Sequence, residues 1–156
     1  MNYEHLGFTL DEALEITDKL NALNANYLMH AHKVRKYYLL IDGDNYFSLR
    51  DFFQNDYQNI LNSADAITER ILSLGMKPQL HLQTMADNAE IKDSADETPT
   101  DKMLEELIDD CKVLFSFFME AADTAKQFGD LVSEKIIVEA LQQTEKKYRI
   151  LSSVQK

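Results

Sequence analysis

Asp65 and Glu69 lie four residues apart in the stretch DAITERILSLGMKP, residues 65–78. On a helix that spacing puts both carboxylates on one face. Such a pair serves as part of a metal site, as the acceptor for a cation across an interface, or as a solvated polar stripe. The other ligand types are sparse. The histidines are His5, His30, His32 and His81, and none has Glu three residues before it. The Glu-x-x-His pairs that build a di-iron site inside a helical bundle are therefore missing. His30 and His32 point about 200° apart on a helix and cannot chelate together. His30 falls on an apolar stripe, where a hydrogen-bonded core histidine is expected. Cys111 is alone, so neither a disulfide framework nor a thiolate zinc cluster is expected.

The elements that must position these groups are helices. The chain has 156 residues, enough for a single domain over 1–156, and 45% of them are apolar, too many for disorder. With Gly at 4 and Pro at 2, a turn-rich β fold is not expected. No apolar run reaches the roughly 18 residues of a membrane span. MNYEHLGFTLDE lacks the basic and apolar regions of a signal peptide, so a cytoplasmic protein without membrane contact is expected. The net charge of −11 opposes DNA, whose non-specific affinity comes from neutralising phosphates. It favours attraction of cations instead.

The first helix opens at TLDE, a capping box with Thr9 at the N-cap and Glu12 three residues on. Its stripe of Ala13, Ile16, Leu20, Leu23, Tyr27, His30, Val34, Tyr37 and Ile41 steps by three and four. DGDN at 42–45 ends it. The second helix spans 46–74 through Phe53, Tyr57, Ile60, Ala64, Ile67, Ile71 and Leu74, stopped by Gly75 and Pro78. A connection over 76–99 holds a short helix in QLHLQTMADN. Thr98 or Thr100 caps the third helix, with Pro99 near its first turn. Its apolar face is Leu104, Leu107, Cys111, Leu114, Phe118, Ala121 and Ala125, and FGD at 128–130 breaks it. The fourth helix runs over 131–151 on Ile137, Leu141, Tyr148 and Leu151.

Short turns make two antiparallel hairpins. A second helix of about 29 residues is roughly 43 Å long. The connection of about 25 residues can recross that length. One long crossover between two helical hairpins is the ferritin-like four-helix arrangement. The expected fold class is all-α.

Three stretches carry a family resemblance. KYYLLIDGDNYFSLRDFFQNDY resembles the Dps-family (mini-ferritin) segment HWNVKGxxFxxLHxxFxxxY. DAITERILSLGMKP resembles its DxxAERIxxLGGxP, with Met76 in place of a Gly. FGDLVSEKIIVEALQQTEKKYRIL resembles its GDxxTxxLL…EKHxWML. The match covers nearly the whole chain. The resemblance implies a bundle with a short crossover helix, assembled from two-fold dimers into a hollow dodecamer. It implies oxidation of ferrous iron, usually with peroxide, storage of the ferric product, and in many members protection of DNA.

The resemblance also implies a ferroxidase site shared by two subunits, and here its ligand positions depart from the pattern. Anchored on Gly43, the two histidine positions fall on Tyr38 and Arg50 and one aspartate position falls on Gln54. Only Asp65 and Glu69, the ligands from the mate, are retained. Gln still offers a carbonyl oxygen, and Tyr is a poor ferrous ligand at neutral pH. Arg is the serious departure, because its guanidinium has no acceptor and keeps its charge. Arg50 and Asp65 are about 22 Å apart along one helix, so they meet only between two subunits. An Arg50 salt bridge to the mate's carboxylates, a residual iron site helped by Gln54, and a solvated stripe all stay open.

Elsewhere, Asp123, Asp130 and Glu134 lie where the family lines its three-fold pores with acids; Asp130 also reads as an ordinary N-cap. EKKYR at 145–149 completes the charge pattern of a C-terminal turn rather than gripping DNA. MNYEH and SSVQK are too poor in Lys and Arg to be DNA-gripping tails. The expectation is a Dps-like iron-sequestering cage whose intersubunit centre has lost its chemistry. The rivals are an active ferroxidase using Asp65, Glu69 and Gln54, and a DNA-binding stationary-phase protein aided by Mg²⁺.

Overall fold

The computed structural model describes residues 2–44 and 46–155. It contains α1 (Asn2–His5), α2 (Leu10–Leu40), α3 (Tyr46–Ser73), α4 (Leu82–Asn88), α5 (Thr100–Gln127) and α6 (Leu131–Gln155). The described residues form no strands. The four long helices are a ferritin-like bundle. α2 packs on α3 and α5 packs on α6, as two hairpins. The hairpins meet where α2 faces α5 and α3 faces α6. No described helix is long and apolar enough to cross a membrane.

The capping box of α2 forms as expected. The Glu12 amide donates to Thr9 Oγ1 at 3.2 Å, and the Thr9 amide donates to Glu12 Oε2 at 3.0 Å. The stripes of α2 and α5 are fully buried, and that of α3 is buried except for the half-buried Tyr57. The turn after α2 includes Asn45, which lies outside the described residues. Gly75 adopts φ +75°, the left-handed conformation that stops α3. A side chain there would also meet Asn2, whose Cβ would lie 3.0 Å away. Residues 2–5 are therefore more than a tail: α1 buries Tyr3 and closes over the end of α3.

Three further expectations are corrected. Neither Thr98 nor Thr100 caps α5. Pro99 occupies the cap position, while Thr98 and Thr100 donate to the carbonyls of Ala95 and Asp42. The buried face of α6 is Ser133, Ile137, Ala140, Thr144, Lys147 and Leu151, with Leu141 and Tyr148 one position off and half-buried. EKKYR is not a final turn, because α6 continues to Gln155 and Lys147 faces the core. The crossover is pinned to α2 by Asn26, whose Oδ1 accepts from the amides of Glu90 at 2.9 Å and Ile91 at 3.0 Å. Met85 and Ala89 pack on Ala25 beside it.

Candidate functional site

The residues expected at the family's ligand positions lie on the two helices of the first hairpin, Tyr38 on α2 and the others on α3. Tyr38, near the end of α2, is half-buried and stacks at a tilt on Tyr57, with ring centroids 6.0 Å apart. Arg50, in the second turn of α3, is half-buried with its guanidinium 5.8 Å from the Tyr46 ring centroid. That contact suits a planar cation. Gln54, Asp65 and Glu69 are exposed on α3. Among the described residues their side chains have no hydrogen-bond or ion-pair partner. Arg50 stands about 22 Å from Asp65 along the helix, so one chain does not bring the set together. Among the described residues no group of three His, Cys, Asp or Glu side chains converges as a metal would need.

The acids near the α5–α6 turn divide. Asp123 is exposed and Glu134 is half-buried. Asp130 is only 1% exposed. Its Oδ1 accepts from Arg70 Nη2 at 2.8 Å and from the Ser133 amide at 3.0 Å. Arg70 Nε also donates to Ser133 Oγ at 3.0 Å. Asp130 therefore caps α6 and binds α3, with its carboxylate turned inward. Arg70 belongs to the TERI stretch beside Glu69, so part of that motif is structural.

A second constellation, missed in the sequence apart from His30, crosses the bundle interior. His30 is fully buried; its Nδ1 lies 3.0 Å from Asp110 Oδ2, and Lys33 Nζ lies 2.9 Å from Asp110 Oδ1. On the other side of the ring, Lys147 Nζ lies 2.6 Å from His30 Nε2 and 3.0 Å from Asp56 Oδ2. A lysine ammonium only donates, so Nε2 accepts and the ring proton sits on Nδ1, donated to Asp110. Burial, and then the Lys147 charge, push the His30 pKa below the ordinary histidine value. For Lys147 burial opposes the charge, but Asp56 and its other neighbours outweigh it and raise the pKa. Burial raises the Tyr27 pKa and pushes Cys111 up to about 11, so both stay protonated beside this network. The network holds two cations and two anions around a neutral histidine. Each of its contacts joins the first hairpin to the second. The sequence signal was available: Lys147 and Thr144 fall at steps of four and three from Leu151.

Further along the α2–α5 seam, the Tyr37 hydroxyl donates to Glu106. Lys36 bonds Asp93 of the crossover at 3.0 Å.

Comparison with known proteins gives a consistent picture. The family model described as Ferritin-like domain matches residues 17–156. An uncharacterized protein of Haemophilus influenzae is 29% identical over 144 residues, covering 86% of this chain and 90% of its own. The DNA protection during starvation protein of Brevibacillus brevis is 26% identical over 111 residues, covering 71% of this chain and 74% of that protein. The crystal structure of the DPS protein of Vibrio cholerae O1 is described as a member of a broad superfamily of ferritin-like diiron-carboxylate proteins. It superposes with a TM-score of 0.92 at 24% identity, covering 97% of this chain and 95% of that one, which shows the shared fold.

Proposed function

The chain belongs to the ferritin-like domain family, as a Dps-type member, and on that footing we propose that it is an iron-sequestering cage protein of stress protection whose intersubunit ferroxidase centre carries a salt bridge in place of metal. Iron storage and stress protection are what the family supports in general. The observation that carries the finer reading is the pair of loose ends on α3. Arg50 brings a permanent cation to a ligand position, and Asp65 and Glu69 are exposed without partners in their own chain. Two copies of α3 packed antiparallel about an axis near residue 59 bring these ends together. A bidentate Arg50–carboxylate contact then satisfies both. A guanidinium there repels Fe²⁺ and occupies the oxygens the ion needs.

In such a cage Asp123 and Glu134 stand near the turn that lines a pore, where an acidic ring draws cations inward. The assembly proposed is a dodecamer built from two-fold dimers, in the cytoplasm. DNA binding is not part of this reading, because a chain of net charge −11 repels the phosphate backbone. Lys156, the lone cation of the terminal SSVQK, lies outside the described residues. A gel shift with plasmid DNA, with and without Mg²⁺, tests that exclusion.

The test of the main reading is ferrous oxidation followed optically with peroxide or oxygen. The expected rate equals the buffer blank. A protein-dependent rate would favour the second reading, an active ferroxidase using Asp65, Glu69 and Gln54. That reading draws on the lack of in-chain partners for all three side chains. A dimer structure with Arg50 more than about 6 Å from both carboxylates of its mate, too far for an ion pair, would also defeat the salt-bridge reading.

A further inference from the structure

His30 is oriented as a metal-bound histidine is oriented. A histidine that ligates a metal through one ring nitrogen donates its other N–H to a carboxylate, which fixes the tautomer and raises ligand basicity. Here Nδ1–H donates to Asp110, which is itself fixed by Lys33 at 2.9 Å. The lone pair of Nε2 is left facing a cation, and Asp56 supplies an oxygen to the same cation. Nδ1 and Asp110 do not touch Lys147; they hold in place the group that does. The cation itself is an ammonium on a side chain that is 4% exposed.

The geometry points to a latent divalent-cation site at His30 Nε2 and Asp56, whose resident cation in this chain is the Lys147 ammonium. The class of ion is a first-row divalent metal that accepts imidazole and carboxylate together. Two protein ligands leave the remaining positions to water, since no group of three His, Cys, Asp or Glu side chains converges among the described residues. A groove of about 350 Å³ between α3 and α6 reaches Asp56 and Lys147 from solvent, with the fully buried His30 behind Lys147. Asn55, Asn59, Gln143 and Lys146 line it together with Asp56 and Lys147, so removal of the Lys147 side chain opens the way to His30. Charge supports the exchange. Asp56 and Asp110 balance Lys33 and Lys147, while the neighbouring Tyr27 and Cys111 stay neutral. Removing Lys147 leaves one negative charge, which a divalent ion with a bound anion neutralises. In the natural chain the tethered ammonium excludes ferrous iron from the bundle by both charge and bulk. That exclusion confines the proposed iron handling to surfaces and interfaces. This consequence depends on the proposed function; the site itself does not.

The test uses the full chain with Lys147→Ala, stripped of metal and titrated with Co²⁺, whose visible absorption reports nitrogen and oxygen ligands. The expected result is one more Co²⁺ per chain than in the natural protein. Its anomalous peak should lie about 2.0–2.2 Å from His30 Nε2. Affinity should fall at least tenfold when His30→Gln is added. A folded Lys147→Ala protein with no cobalt in the bundle would overturn the inference. So would cobalt at that position in the natural chain with equal affinity. If Lys147→Ala does not fold without metal, recovery of its helical signal by Co²⁺ but not Mg²⁺ supports the site. No recovery, while Lys147→Met folds, overturns it, because bulk rather than charge is then what the position needs. Ferrous oxidation by the natural chain would defeat the function proposed above and leave this site standing.

Discussion

A lysine in the middle of a four-helix bundle is costly unless its charge is matched, and Lys147 shows how the matching is done. Its partners are Asp56 on α3 and the neutral face of His30 on α2. Removing one partner of a buried pair strands the other, at a cost of about 3–5 kcal/mol. Asp56 keeps some water contact, with its side chain 14% exposed, so the lower end of that range is expected. Lys147→Met should therefore lower stability by about 3 kcal/mol in denaturant unfolding at fixed protein concentration. Adding Asp56→Leu to Lys147→Met should recover most of that loss, because replacing both members with apolar groups is often neutral. A double variant no better than the single one would show that packing, not charge, dominates. His30 gives the network a pH dependence whose sign follows from its depressed pKa. Below about pH 6.5 the unfolded histidine takes up a proton that the folded one refuses. The stability tied to His30 is thus complete above that pH and declines as pH falls toward the folded pKa. Its limiting slope is about 1.4 kcal/mol per pH unit. The unfolding midpoint should fall between pH 7 and pH 5.5, and fall less in His30→Gln. Equal falls in both proteins would assign the effect to other groups.

The spacing of apolar residues marks the helices wherever the core is apolar. The stripes of α2, α3 and α5 alternate by three and four with few interruptions, so their faces and lengths were legible. α6 was legible only in outline. Its buried positions include Ser133, Thr144 and Lys147, and a polar residue inside the core is silent to an apolar count. The apolar residues nearest that face, Leu141 and Tyr148, lie one position away and are half-buried. Asp56 and Asp110 were hidden for the same reason, each beside an apolar neighbour, Tyr57 or Cys111, that carried the stripe. α1 has 4 residues, too short for any period to register. Capping signals fared unevenly because they compete. Thr9 has Glu12 in the reciprocal position and forms its box, whereas Thr98 and Thr100 flank Pro99 and find other acceptors. The box predicts a local effect: Thr9→Ala should cost about 1 kcal/mol. It should also speed amide exchange in the first turn of α2 without altering the far end of the helix. Unchanged exchange there would mean that α1 and the packing of Phe8, rather than the cap, hold that end.

At the scale of the proposed assembly, Asp65 and Glu69, without partners in their own chain among the described residues, find them across a two-fold contact. Sequence places Arg50, Gln54, Asp65 and Glu69 on one face of α3, but it does not give the contact between two copies of that face. If Arg50 of one subunit is held by carboxylates of its mate, its charge serves the dimer and should be exchangeable. Arg50→Glu sets like charges against each other at both ends of a two-fold contact. It should weaken the dimer at least tenfold by analytical ultracentrifugation, and most at low ionic strength, where screening is least. Adding Asp65→Lys with Glu69→Lys should restore association, because the signs are then opposite again. Removing the cation and restoring ligands should have a different consequence. The triple variant Tyr38→His, Arg50→His, Gln54→Asp returns every ligand position to the family's pattern, with Asp65 and Glu69 already present. Under the salt-bridge reading it should oxidise ferrous iron with peroxide well above the blank, while the natural chain does not. A dimeric triple variant that stays inert would show that the supporting residues around the centre, and not Arg50 alone, have been lost. An active natural chain would show that a guanidinium at this position can give way to iron.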